Sequence, residues 1–105
     1  MKTPAVTVAS TILEQLGGRR FAAMTGVKSF CDDGDGLIFK VPNARAPNGK
    51  RVNYVHIKLN TSDLYDVIFS SVTMKSLTQE ARVEGVYAEN LQEVFTANTG
   101  LHTHL

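Results

Sequence analysis

The sequence predicts an α+β fold, a single domain over residues 1–105 in which an antiparallel sheet of four to five strands carries an N-terminal and a C-terminal helix packed on one face. Three observations predict it. Val52 to Phe69 alternates apolar and polar residues with a period of two on both sides of a polar turn. Apolar residues recur at helical spacing near each end of the chain. Clusters of Gly, Asp, Asn and Pro punctuate the stretch between, as turns between short strands require.

Thr3-Pro4 supplies an N-cap and a first helical residue. Val6, Ala9, Leu13 and Leu16, reinforced by Ile12, then form an amphipathic stripe that Gly17-Gly18 ends. Val6, Thr7, Val8 and Thr11 are β-branched and weaken the helix, so it depends on packing against the sheet. Arg19 to Cys31 suits either a short strand or a helical turn before Thr25-Gly26 breaks it. Val27 to Asp32 and Leu37 to Val41 flank Asp33-Gly34-Asp35-Gly36, a composition that reads as a hairpin turn; Leu37, Phe39 and Val41 share a face opposite Ile38 and Lys40. Pro42 to Arg51 reads as a polar loop long enough to move or to reach a partner.

In the central hairpin Val55, Ile57, Leu59, Tyr65, Val67 and Phe69 are assigned to the core, and Tyr54, His56, Lys58 and Asp66 to the other side. A slip of one residue would bury Lys58 and His56, so burial fixes the register. Asn60, Ser62 and Asp63 can fold back on nearby backbone to close the turn. After Phe69 the pattern fades into an irregular connection with a helical turn near Thr78 to Arg82. Tyr87, Leu91, Val94 and Phe95 mark the second amphipathic helix, which Asn98-Thr99-Gly100 terminates. The chain contains no internal repeat or low-complexity segment.

A composition of 43% hydrophobic and 20% charged residues with net charge +1 fits an ordinary globular domain and excludes a disordered or strongly basic chain. Residues 1–60 hold nine Lys/Arg and four Asp/Glu, +5, whereas residues 61–105 hold two and six, −4, which permits a basic and an acidic surface. The longest apolar runs fall far short of the roughly 20 residues that cross a bilayer, and the N-terminus lacks a signal-peptide core, so no membrane association and a cytoplasmic location are expected. One cysteine, which forms no internal disulfide, fits that compartment.

No motif for catalysis or a cofactor emerges. Setting Gly36 as the sixth position of a calcium loop puts Cys31 first and Pro42 twelfth, so both end ligands fail. Thr25-Gly26-Val27-Lys28-Ser29 lacks the adjacent Gly-Lys of a phosphate loop. Asp32 and Asp33 disfavour a Cys31 thiolate, and a half-buried structural thiol is expected. His102 and His104 are two ligands at most, too few for zinc, in a tail expected to be exposed. Catalytic, cofactor and metal residues are therefore read as none.

Lys40, Tyr54, His56 and Lys58 fall on the face that the helices leave bare, beside Arg45, Lys50 and Arg51 in the neighbouring loop. An aromatic ring among cations can stack a base and neutralise phosphates. A solvated sheet face has a similar composition, and Asp66 shares it.

Leu16-Gly17-Gly18, Arg20-Phe21, Met24-Thr25-Gly26 with Lys28, Asp63-Leu64-Tyr65-Asp66 and Thr99-Gly100-Leu101 together resemble a family of small uncharacterised proteins encoded by bacteriophages and other mobile genetic elements. The resemblance extends over nearly the whole chain. It implies an accessory role in the host cytoplasm, including engagement of host machinery, and no particular activity. Turn geometry accounts for the glycines but not for Arg20 and Lys28, which join the candidate binding residues.

The leading functional expectation is a non-enzymatic binding protein acting through protein contact or as a homodimer. The alternative is nucleic-acid binding through Lys28, Lys40, Tyr54, His56, Lys58 and the loop from Arg45 to Arg51. An enzyme would require a site such as His56 with Asp66 as cross-strand neighbours.

Overall fold

The computed structural model describes residues 8–47 and 49–101. The helices are α1 (Val8–Leu16), α2 (Gly18–Thr25) and α3 (Leu91–Thr99), the last entered through a 3-10 turn at Ala88–Asn90. Between them run β1 (Lys28–Asp32), β2 (Gly36–Arg45), β3 (Arg51–Leu59), β4 (Tyr65–Val72) and β5 (Leu77–Val86). The strands form one antiparallel meander in the order β1-β2-β3-β4-β5, so β1 and β5 are its edges. No helix among the described residues is long and apolar enough to cross a membrane.

The core lies between one sheet face and the helices. Leu37, Phe39, Val55, Ile57, Tyr65, Val67 and Phe69 are buried with Ile12 and Leu16 of α1, Phe21 of α2, and Leu91 and Phe95 of α3. Val55 lies opposite Phe69, Ile57 opposite Val67 and Leu59 opposite Tyr65, the register that alternation demands. Asn60 closes the hairpin, its Oδ1 accepting the backbone N–H of Ser62 at 2.8 Å and of Leu64 at 3.2 Å. In α1, Ile12 is fully buried and Leu13 only partly; Thr3-Pro4 and Val6 lie outside the described residues, as do His102 and His104.

Three rings meet at the centre. Phe21 packs edge-on against Phe39 and Phe95 at centroid distances of 5.7 and 5.1 Å, and Phe39 lies 6.1 Å from Phe95. Phe21 and Phe95 each open the sequence Phe-x-x-x-Thr-Gly, and the two copies end their helices in the same way. Thr25 and Thr99 each donate a 2.7 Å hydrogen bond from Oγ1 to the carbonyl of Phe21 and Phe95 respectively. Gly26 and Gly100 follow in left-handed conformations, φ 73° and 74°, and their N–H groups bond back to Ala22 and Thr96. The hydroxyls then accept the N–H of Val27 and Leu101, turning both apolar residues inward. This local repeat, not visible as a domain repeat, gives a physical reason for Met24-Thr25-Gly26 and Thr99-Gly100-Leu101. Gln92 completes the join, donating from Nε2 to the Leu16 carbonyl at 2.8 Å.

Several expectations are corrected. The stretch left undecided between strand and helical turn is α2, a separate helix after the Gly17 turn. The connection with a helical turn near Thr78 to Arg82 is β5, paired along its length with β4. Thr-Gln-Glu-Ala-Arg favours a helix locally, but the ladder offered by β4 prevails over that weak preference. The expected loop from Pro42 to Arg51 shrinks to residues 46–50, because β2 continues to Arg45 through a bulge that accommodates Pro42. Tyr87 lies before α3 and is exposed, and Cys31 is exposed on the β1 edge.

Burial pushes the Tyr65 hydroxyl above its ordinary 10.0, while a hydrogen bond with the Gln15 side chain acts the other way. Above pH 10 the unfolded chain therefore releases this proton more readily than the folded one, and stability falls as pH rises through 10. Melting temperatures at pH 8 and 11 are expected to differ less for Tyr65→Phe than for the wild type.

Candidate functional site

Among the described residues all helices lie on one face and leave the other bare, and cross-strand pairing arranges that bare face in rows. Lys28, Lys40, Tyr54, Ser70 and Gln79 form one row across the sheet. Cys31, Ile38, His56, Ile68 and Arg82 form the next, followed by Gly36, Lys58 and Asp66.

The meander polarises the charge. It brings the start of β1, the turn at 46–50 and the turn between β4 and β5 to one end of the sheet. From the first row to that end, the strands and turns carry Lys28, Lys40, Arg45, Lys50, Arg51 and Lys75 and, among the described residues, no carboxylate, Glu80 standing just past Gln79 at the bulge in β5. Asp32, Asp33, Asp35, Asp63, Asp66 and Glu84 gather toward the opposite end. The division foreseen between the halves of the sequence thus becomes a division along the strand axis.

Two bulges open the sheet at its basic end. Lys28 faces Lys40 but Cys31 faces Ile38, leaving an extra residue in β1, where Ser29 is left-handed with φ 61°. Lys40 faces Tyr54 but Ala44 faces Val52, leaving two extra residues in β2 around Pro42. The resulting cleft has a volume of about 340 Å³ and is lined by Lys28, Lys40, Arg51, Tyr54, Pro42 and Val72 among others, with no carboxylate among the described residues. Asn53 holds its wall. The Asn53 side chain donates to the Val72 carbonyl at 2.9 Å and accepts the Val72 N–H at 2.7 Å, bridging β3 to β4 just beyond the last ladder pair, Tyr54 and Ser70.

The structure brings Lys28, Lys40, Arg51 and Tyr54 together in this cleft. Arg45 and Lys50 lie beyond it at the same end, Arg45 donating to the Gly49 carbonyl at 3.2 Å. Lys58 is on the same face but toward the acidic end, directly opposite Asp66. Arg20 is exposed on α2, in the helical layer, and does not line the cleft.

His56 is not paired with Asp66. It lies opposite Ile68, and its Nε2 is 2.8 Å from Oδ2 of Asp33, tying the β1–β2 turn to the sheet face. Asp66 accepts hydrogen bonds from Asn60 Nδ2 and the Gly85 N–H, and Arg82 Nη2 lies 3.9 Å away. Asp66 borders a separate cavity of about 490 Å³ with Asp35, Lys58 and Arg82, which His56 does not line. The cross-strand pairing expected of His56 and Asp66 is therefore absent, and each side chain is held by other partners.

Comparison of the chain with protein-family models, curated proteins and solved structures finds no match. The site must be read from its own geometry. Sequence reasoning missed Val41, Asn53 and Val72 as cleft residues and Lys75 as part of the basic end. The Pro42 position inside an otherwise alternating run is the one signal that announces a bulge.

Proposed function

We propose that the chain is a non-enzymatic binding protein that takes nucleic acid on the basic end of its bare sheet face. The observation that carries this reading is the convergence of six cations from the strands and turns on one end of the sheet, while Asp32, Asp33, Asp35, Asp63, Asp66 and Glu84 lie toward the other. That arrangement favours the reading ranked second from sequence, since clustered cations create the field that attracts a polyanion. A phage or mobile-element accessory role in the host cytoplasm belongs to the proposal and rests on the sequence resemblance alone.

Protein contact or homodimerisation is the second reading. It is favoured by β1, an edge strand whose five residues are all exposed and include Phe30.

Titration of a fluorescein-labelled (dT)12 strand and a 12-base-pair duplex against the protein at several salt concentrations tests the proposal. Single-strand affinity falls with a log–log slope of about −0.7 per phosphate contact, so up to six contacts give a slope near −4 and roughly a 250-fold loss between 50 and 200 mM salt. No complex at 50 mM salt, or an affinity indifferent to salt, would contradict the nucleic-acid reading. A dimer mass by light scattering together with that result would favour the second one.

A further inference from the structure

We infer that the cleft seats one nucleotide unit of a single strand, with its phosphate among Lys28, Lys40 and Arg51 and its base against the Tyr54 ring. The inference rests on the nucleic-acid reading above and assigns its contact site.

Lys28 and Lys40 are direct cross-strand partners. Like charges placed opposite each other across two strands oppose folding, and Arg51 adds a third cation to the same cleft, whose described lining holds no carboxylate. A bound phosphate relieves this repulsion and gains charge-assisted hydrogen bonds, in which the Arg51 guanidinium can engage two oxygens at once.

The remainder of the lining suits a base. Tyr54 is half-buried next to Lys40 in the first row, and Pro42 and Val72 supply apolar surface. At about 340 Å³ the cleft is at the lower end of ordinary ligand sites, which run from roughly 300 to 1,000 Å³. It has room for one flat ring and its phosphate, and a base paired within a duplex cannot turn into it. Asn53, the one side-chain amide among the described residues of the lining, is committed at both ends to Val72 and is not free to read a base edge. Stacking on Tyr54 without edge readout makes the site tolerant of base identity. The β1 and β2 bulges and the Asn53 bridge hold the cleft open before any ligand arrives, so little ordering is required on binding.

The test compares (dT)12, a 12-mer of the same backbone lacking its bases, and the 12-base-pair duplex on the wild type at 50 mM salt, and then (dT)12 on Tyr54→Leu, Lys40→Gln and Arg51→Gln. The expected result is that (dT)12 binds at least about fivefold more tightly than the abasic strand and more tightly than the duplex. Tyr54→Leu should bring the affinity ratio of (dT)12 to the abasic strand down toward one. Lys40→Gln and Arg51→Gln should weaken both strands and each reduce the salt slope by about 0.7. Thymidine 5′-monophosphate should move the Tyr54 ring resonances in NMR spectra, whereas inorganic phosphate should move only the amides of the cationic residues. Equal binding of (dT)12 and the abasic strand to the wild type, a comparison that needs no variant to fold, would overturn the seat for the base while leaving the nucleic-acid reading intact. Failure of all three oligomers to bind would overturn that reading itself.

Discussion

Phe21→Ala is expected to cost about 4 kcal/mol, near the middle of the range for emptying a phenylalanine site in a packed core. Phe21 is fully buried, and its ring touches Phe39 of β2 and Phe95 of α3 edge-on, so its removal breaks the contact among α2, α3 and the sheet at one point. A domain of this size has a total stability of roughly 5–15 kcal/mol, which puts the variant close to the unfolding threshold. With a urea m-value of about 1–2 kcal/mol/M, the midpoint of unfolding moves by roughly 2–4 M. Met24→Ala, on the same helix but at an exposed position, is the control and should move it little. Equal shifts for the two variants would contradict the packing described.

Gly36→Ala is the second large effect, about 3 kcal/mol, at the upper end for overpacking. A Cβ at Gly36 would run into the carbonyl oxygen of Ile57 and press on Lys58 Cα, both backbone atoms of β3 that no rotamer change can clear. The chain cannot move away easily, because Gly36 accepts the Asp33 N–H at 3.0 Å and Asp35 accepts the Leu59 N–H at 2.8 Å on either side of it. Relief therefore requires separating β2 from β3 at the turn. Gly34→Ala is the contrast: nothing lies within 4 Å of a Cβ there, and only its left-handed φ of 81° is strained. Urea midpoints should rank wild type, Gly34→Ala, Gly36→Ala in falling order.

The central hairpin was legible because Val55 to Phe69 separates a buried face from a polar one, and any other register buries Lys58 and His56. The three stretches that misled have separate causes. In α2, eight residues hold only Phe21 and Thr25 as buried positions, too few for a helical stripe to stand out. In β5 only Val86 is buried, as befits an edge strand, so alternation is weak and local helix preference dominates the reading. In β2 the bulge around Pro42 conceals the last three strand residues behind a residue that normally interrupts a sheet.

The candidate site divides in the same way. Lys40, Tyr54, His56 and Lys58 were assigned to the bare face by alternation alone, and the structure puts them there. The cleft could not be foreseen, since it arises from bulges that alternation does not encode. Lys75 escaped notice because it lies in a hairpin turn, where Thr73 Oγ1 accepts the N–H groups of Lys75 and Ser76, that read as irregular chain. The partner of His56 was missed because Asp33 reaches it from a turn and not from a neighbouring strand.

The measurement that tests the central claim most directly is mapping (dT)12 binding on the wild-type protein by amide chemical-shift changes at low salt. The account predicts that the largest changes fall at Lys28, Lys40, Arg51, Tyr54 and Lys75, at the basic end of the bare face, and that Arg19 and Arg20 on α2 stay unperturbed. Changes concentrated on the helical layer, or none at all, would contradict it.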